Sequence, residues 1–183
     1  MEHHLIHKST LKPAIWDGGE TFEYFIFPEN SIYSQRNFMF RISSASIHKI
    51  PSDFTRFNAY KRFLVMLDNP LKINRNGKDE NYCKNEVFTF NSSDKIISYS
   101  NGNDFNLMVS EEINSSEVRI TNALNEIHHD FVCCLALEIC SIRFNEKELS
   151  LQTSDLLLIQ NSEKSLIDLK SNKDLIIGMI ALD

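Results

Sequence analysis

Six histidines and four cysteines are the first residues to test for chemistry, because they supply metal ligands and nucleophiles. A metal site inside a β-barrel needs two His two apart on a strand, then a Glu and a distant His, so that the side chains converge. The histidines here are His3, His4, His7, His48, His128 and His129, and none forms His-x-His. Side chains alternate along a strand, so the adjacent pair His128-His129 splits across two faces. No metal and no other cofactor is expected. Cys83, Cys133, Cys134 and Cys140 show no CxxC spacing. Cys133 and Cys134 lie in an apolar run with no cationic neighbour, where a thiol is inert rather than activated. No Gly-x-Ser-x-Gly elbow occurs.

What remains is a set of polar residues on apolar strands. Gly102 to Val109 begins as a turn and then alternates. Phe105, Leu107 and Val109 share one face, and Asp104, Asn106 and Met108 share the other. Arg41 and Ser43 project from a second strand between Phe38, Phe40 and Ile42. Arg62 belongs to a third, Lys61 to Leu67, and Thr21 with Glu23 to a fourth. A buried unpaired charge costs several kcal/mol, so each Arg needs a partner. Two readings stay open. In one, Arg41 or Arg62 pairs with Asp104 or Glu23 and ties strands together. In the other, a guanidinium stays available to clamp a ligand carboxylate in bidentate fashion, with Ser43 and Asn106 fixing orientation. The two coexist if Asp104 orients an Arg whose other edge faces the ligand. Met108 and Trp16 read as packing residues, and Trp16-Asp17-Gly18-Gly19 as a tight turn with a core Trp.

The elements that must position this set are strands. Thr21 to Phe27 is stopped by Pro28-Glu29-Asn30, and Phe38 to His48 by Pro51-Ser52-Asp53. Lys61 to Leu67 turns at Asp68-Asn69-Pro70 into Leu71 to Ile73. The polar stretch Asn74 to Lys84 reads as a loop, Val87 to Phe90 as a strand, and Val118 to Ile120 as a short one. His129 to Phe144 is one long apolar segment, and Leu175 to Ile180 closes the chain. Lys61 to Phe90 and Phe131 to Ile159 share a pattern of apolar strand, return strand and apolar strand. Short strands between turns, with no helical run, indicate an antiparallel sandwich or barrel, and the duplication suggests two jelly-roll halves.

The whole chain agrees. With 183 residues, 42% hydrophobic and 24% charged, it can bury a core in one large all-β domain or two small fused units. Thirteen Phe against five Gly favours strands over coil. A formal charge of −6 with no basic run argues against binding nucleic acid through its phosphates. No apolar run is long enough to span a bilayer, and the N-terminus lacks the apolar core of a signal peptide, so a cytoplasmic protein with reduced thiols is expected.

Four segments together resemble the HutD/Ves family, metal-free double-cupin proteins associated with histidine utilisation in bacteria. They are Trp16-Asp-Gly-Gly-Glu-Thr-Phe-Glu23 with Ile26-Phe-Pro28, Phe38-Met-Phe-Arg-Ile-Ser-Ser-Ala45, Phe54-Thr-Arg-Phe57 with Lys61 to Leu67, and Asp104-Phe-Asn-Leu-Met108. Their order and spacing carry the match; beyond residue 110 only a general β pattern remains. The chain departs from the family at Asp68-Asn69-Pro70 and at Ser92-Ser93-Asp94, both in turns. The resemblance implies an all-β double-stranded β-helix (cupin or jelly roll) built as a bicupin. Residues 1–110 would form the first half with the pocket, and 111–183 a second, degenerate half. It also implies a non-catalytic binder or regulator whose ligand is a small carboxylate metabolite, with formylglutamate or urocanate as candidates. The alternatives are a metal-independent enzyme, with Glu23 or Asp104 as general base and Arg41 as electrostatic stabiliser, and a scaffold that forms a homodimer. The expected ligand-binding set is Thr21, Glu23, Arg41, Ser43, Arg62, Asp104 and Asn106.

Overall fold

The computed structural model describes residues 1–182. Among them there is no α-helix, only strands and two short 3-10 turns at Lys8–Thr10 and Tyr33–Gln35. The strands are β1 (Glu2–Ile6), β2 (Ala14–Trp16), β3 (Gly19–Phe27), β4 (Phe40–Ile47), β5 (Ser52–Asp53), β6 (Tyr60–Met66), β7 (Leu71–Arg75), β8 (Lys78–Tyr82) and β9 (Phe88–Asn91). They continue with β10 (Ile96–Ser98), β11 (Gly102–Ser110), β12 (Ser115–Ile127), β13 (Phe131–Ala136), β14 (Cys140–Phe144), β15 (Lys147–Leu151), β16 (Leu156–Gln160) and β17 (Ile167–Ala181). The chain divides into two compact units, Leu11–Glu112 and a second made of Met1–Thr10 with Ile113–Asp183.

The Leu11–Glu112 unit contains two antiparallel sheets. The larger runs β2-β3-β4-β11-β6-β9 and the smaller β5-β10-β7-β8. Register in the larger sheet decides what faces the barrel interior. Asn106 stands opposite Ser43 on one side and Leu64 on the other, and Met108 opposite Arg41 and Arg62. The alternation of β4, β6 and β11 therefore puts Arg41, Ser43, Arg62, Asp104 and Asn106 on one face. The opposite face carries Phe40, Ile42, Phe105 and Leu107, all fully buried. A β-bulge between Glu23 and Phe25 shifts the register of β3, so Glu23 lies opposite Ser43 while Ile26 lies opposite Arg41. Two apolar clusters flank the polar face. One holds Leu64, Met66, Phe88 and Phe90, the other Ile26, Phe38, Phe57, Tyr60 and Met108. Gly102, at φ +116, opens β11 where a Cβ would collide with the Asp68 carboxylate that accepts from the Asn103 N–H.

The second unit is one antiparallel sheet, β1-β16-β13-β17-β14-β15, with β12 paired along β17. Its interior is apolar, with Val132, Cys134, Ile142, Phe144, Leu157, Ile159 and Ile177 in one cluster. Cys133 and Cys134 do fall on opposite faces and both are buried.

Several sequence expectations are corrected. Asn74 to Lys84 is not a loop: Asn76 (φ 53) and Gly77 (φ 89) make the tight turn of a β7–β8 hairpin, as an Asn-Gly pair favours. Val118–Ile120 is part of the longer β12, whose polar residues lie along a strand with one partner, so apolar alternation is weak there. His129–Phe144 is two strands, split between Ala136 and Cys140. A boundary at residue 110 assigned the N-terminus to the first unit; β1 instead pairs residue for residue with β16, so Met1–Thr10 belongs with the C-terminal strands.

Candidate functional site

Within the Leu11–Glu112 unit the polar face opens into a cavity of about 330 Å³. Six of the expected residues line it: Thr21, Arg41, Ser43, Arg62, Asp104 and Asn106. Glu23 does not; it stands behind Arg41, whose Nε donates to Glu23 Oε2 at 2.6 Å. Arg41 also donates to Ser43 Oγ at 3.2 Å, and its guanidinium lies over the Tyr33 ring, 4.2 Å from the centroid. This charge is neutralised and held on three sides.

Arg62 is placed differently. It is 8% exposed, and among the described residues its guanidinium has no ion-pair partner. It donates to Asn106 Oδ1 at 3.4 Å and to the Thr55 carbonyl at 3.3 Å, both long for charge-assisted bonds. The rings of Phe90 and Phe54 stand 5.0 and 5.5 Å from it. Burial lowers its pKa; the nearby Tyr33 and Asp104 oppose that shift and Arg41 adds to it. A guanidinium remains charged even so. The result is a buried cation, loosely held, facing a cavity.

Asp104 is committed to the backbone: its Oδ1 accepts from the Ala45 N–H at 2.7 Å, and its carbonyl from Ser44 Oγ at 2.6 Å. Because Asn106 turns its oxygen to Arg62, its NH₂ group is the donor presented elsewhere. Thr21 Oγ1 accepts from Trp16 Nε1 at 3.1 Å. That bond corrects the reading of Trp16 as a core residue. Trp16 is 39% exposed, lies on the edge strand β2 and lines the cavity with Ala14 and Ile15. Its ring covers Gly18, where any Cβ would strike it, so Gly18 is what lets the indole fold over the turn. Met108, by contrast, is fully buried and packs with Phe38 and Phe57, as read from the sequence.

The sequence pattern missed Tyr33, Phe54 and Thr55, which also line the cavity. Tyr33 sits on a 3-10 turn and the other two outside any strand, where no period assigns a face. Among the described residues, no group of three His, Cys, Asp or Glu side chains is arranged to hold a metal ion. No helix among them is long and apolar enough to cross a membrane.

A family-level sequence profile for HutD matches residues 8–177. The chain belongs to the HutD family. Solved structures agree on the fold. HutD from Pseudomonas fluorescens SBW25 superposes with a TM-score of 0.85 at 15% identity, covering all of both chains. A conserved protein of unknown function from Pseudomonas aeruginosa PAO1 gives 0.86 at 15% identity, over 99% of this chain and 100% of that one. A cupin conserved-barrel protein from Leptotrichia buccalis gives 0.58 at 7% identity, over 98% and 96%. This HutD chain therefore has a cupin-type β-fold. No curated protein sequence matches it significantly.

Proposed function

We propose that this HutD-family chain is a non-catalytic binding or regulatory protein for a small carboxylate metabolite, taken up in the cavity of the Leu11–Glu112 unit. The observation that carries the reading is the contrast between two arginines. Arg41 is neutralised by Glu23 at 2.6 Å, whereas Arg62 is buried and, among the described residues, has no ion pair and is held by hydrogen bonds of 3.3 and 3.4 Å. A ligand carboxylate supplies the missing counter-charge and accepts from the guanidinium in bidentate fashion. Ser43 and the Asn106 amide offer neutral hydrogen bonds to the rest of the ligand, and the apolar residues beside Trp16 cover it.

The family's association with histidine utilisation supports formylglutamate and urocanate as candidates, each of which carries a carboxylate. The same reading takes the two units as two cupin halves, with one of them open, in a cytoplasmic protein. Both carboxylates that could serve as a general base are engaged, Glu23 by Arg41 and Asp104 by the Ala45 N–H, which supports binding over turnover.

Thermal denaturation with each compound tests the proposal. A ligand at a hundred times its Kd stabilises the native state by about 2.7 kcal/mol, a readily measured rise in melting temperature. The rise is expected for wild type and absent in Arg62→Met. No rise at millimolar formylglutamate or urocanate, or an equal rise in both proteins, defeats it.

A further inference from the structure

We infer that Tyr33 is a second ligand-binding residue of this cavity, its phenol O–H and the Arg62 guanidinium gripping one carboxylate between them. The inference rests on the carboxylate-binding reading above and adds a group that the strand pattern could not supply.

Four observations carry it. Tyr33 lines the same cavity as Arg62. Among the described residues its hydroxyl has no hydrogen-bond partner, whereas Tyr60 donates to the Phe38 and Arg36 carbonyls and Tyr82 to Glu80. A tyrosine hydroxyl left unpartnered on a cavity wall is a donor in waiting. Its ring is also held by packing. The Arg41 guanidinium covers one face at 4.2 Å, and Phe38 and Phe57 pack beside it at 6.1 and 5.3 Å. The loop that carries Tyr33 is pinned as well: Ser31 Oγ donates to the Asn37 carbonyl, the Ile32 N–H to Asn37 Oδ1, and Tyr60 to Phe38. Such a donor is preorganised, so little ordering entropy is lost when it binds.

The arrangement also gives Arg41 and Glu23 a role. Glu23 fixes Arg41, and Arg41 fixes the Tyr33 ring, so both act as positioning residues behind the clamp. The influence of Tyr33 on Arg62 agrees with the two lying close together.

The test is a titration of the full chain with formylglutamate and with urocanate, followed by calorimetry. For formylglutamate it is also followed by the emission of Trp16, the one tryptophan, which lines the cavity. Tyr33→Phe keeps the ring under Arg41 and removes only the hydroxyl. Binding about tenfold weaker, with the melting temperature retained, is the expected result. Equal affinity in Tyr33→Phe and wild type overturns the inference and leaves the Arg62 reading standing, provided Arg62→Met abolishes binding. No binding of either compound to wild type overturns both. If Tyr33→Phe also lowers the melting temperature, Tyr33→His decides: affinity regained with the imidazole donor supports the inference, and affinity still lost overturns it.

Discussion

The two units solve the same packing problem in opposite ways. In Leu11–Glu112 the central strand β11 turns Asp104 and Asn106 towards the barrel interior, and a cavity lies beside them. In the other unit the central strand β13 turns Val132, Cys134 and Ala136 into an apolar cluster with Phe144, Leu157 and Ile177. Both interiors are made by period-two alternation. What differs is the residue type at the inward positions. Interior side chains that fill a small barrel leave a packed core, while polar ones that must stay hydrated or bonded hold space open. One interior is thus filled with apolar side chains, and the other keeps a buried charge beside a cavity.

The largest effect that can sharpen this contrast is thiol reactivity. Cys133, Cys134 and Cys140 are buried in the second unit and Cys83 is exposed in the first. Burial pushes the Cys133 thiol up to about 12, far from its reactive form at neutral pH. In native protein Cys83 should react with an alkylating reagent at least about a thousandfold faster than the others, which must wait for unfolding. Mass spectrometry after timed labelling reads this, and two fast thiols would show that the second core is open.

Core truncation comes next. Leu157→Ala should destabilise by about 2–5 kcal/mol in urea denaturation, because the fully buried side chain leaves a void. Arg62→Met should move the other way in the absence of ligand, leaving stability unchanged or raising it by about 1 kcal/mol, since it removes a buried charge that has no ion pair among the described residues. A large loss of stability in Arg62→Met would erase the distinction between the two interiors.

The smallest effect is a pH dependence confined to the first unit. Burial works to raise the Asp94 carboxyl, but hydrogen bonds from Asn76 and Arg75, with the Arg75 charge, outweigh it and hold its pKa below the ordinary 3.8. A carboxyl lowered in the folded state contributes stability above its unfolded pKa and loses it as pH falls through the folded value. Asp94→Asn should therefore flatten the acid limb of the stability curve below about pH 4. An unchanged limb would mean that the Arg75–Asp94 pair contributes nothing there.

Strand alternation made most of the candidate site legible in advance. With Arg41 and Ser43 on one strand and Asp104 and Asn106 on another, period two sets their faces, and register brings them to one cavity with Arg62 and Thr21. Glu23 was found as a partner of Arg41 rather than as a wall residue, because a bulge in β3 lies beyond what alternation shows. Tyr33 carries no such signal, since its place depends on contacts with Phe38, Phe57 and Arg41 that no local pattern encodes. For Trp16 the sequence misleads, because a large aromatic next to Gly-Gly suggests a core turn, while an edge strand leaves it at the rim. The β7–β8 hairpin was hidden in polar residues, although its Asn76-Gly77 pair was there to be used.

The pairing of β1 with β16 has a consequence for how the protein is made. Residues 2–6 leave the ribosome well before residues 156–160, with which they pair. Among the described residues the strands of Leu11–Glu112 pair only with one another, so that unit can fold while the rest of the chain is still being synthesised. Strand β1 waits through all of this for a partner about 150 residues further along the chain, and such non-local closure is slow. His7 then fastens to Asp155 at 2.8 Å, beside the newly paired strands. Changes in β1 would therefore act on the pairing with β16, in the unit formed by the C-terminal strands, rather than on the cavity that follows β1 in the chain.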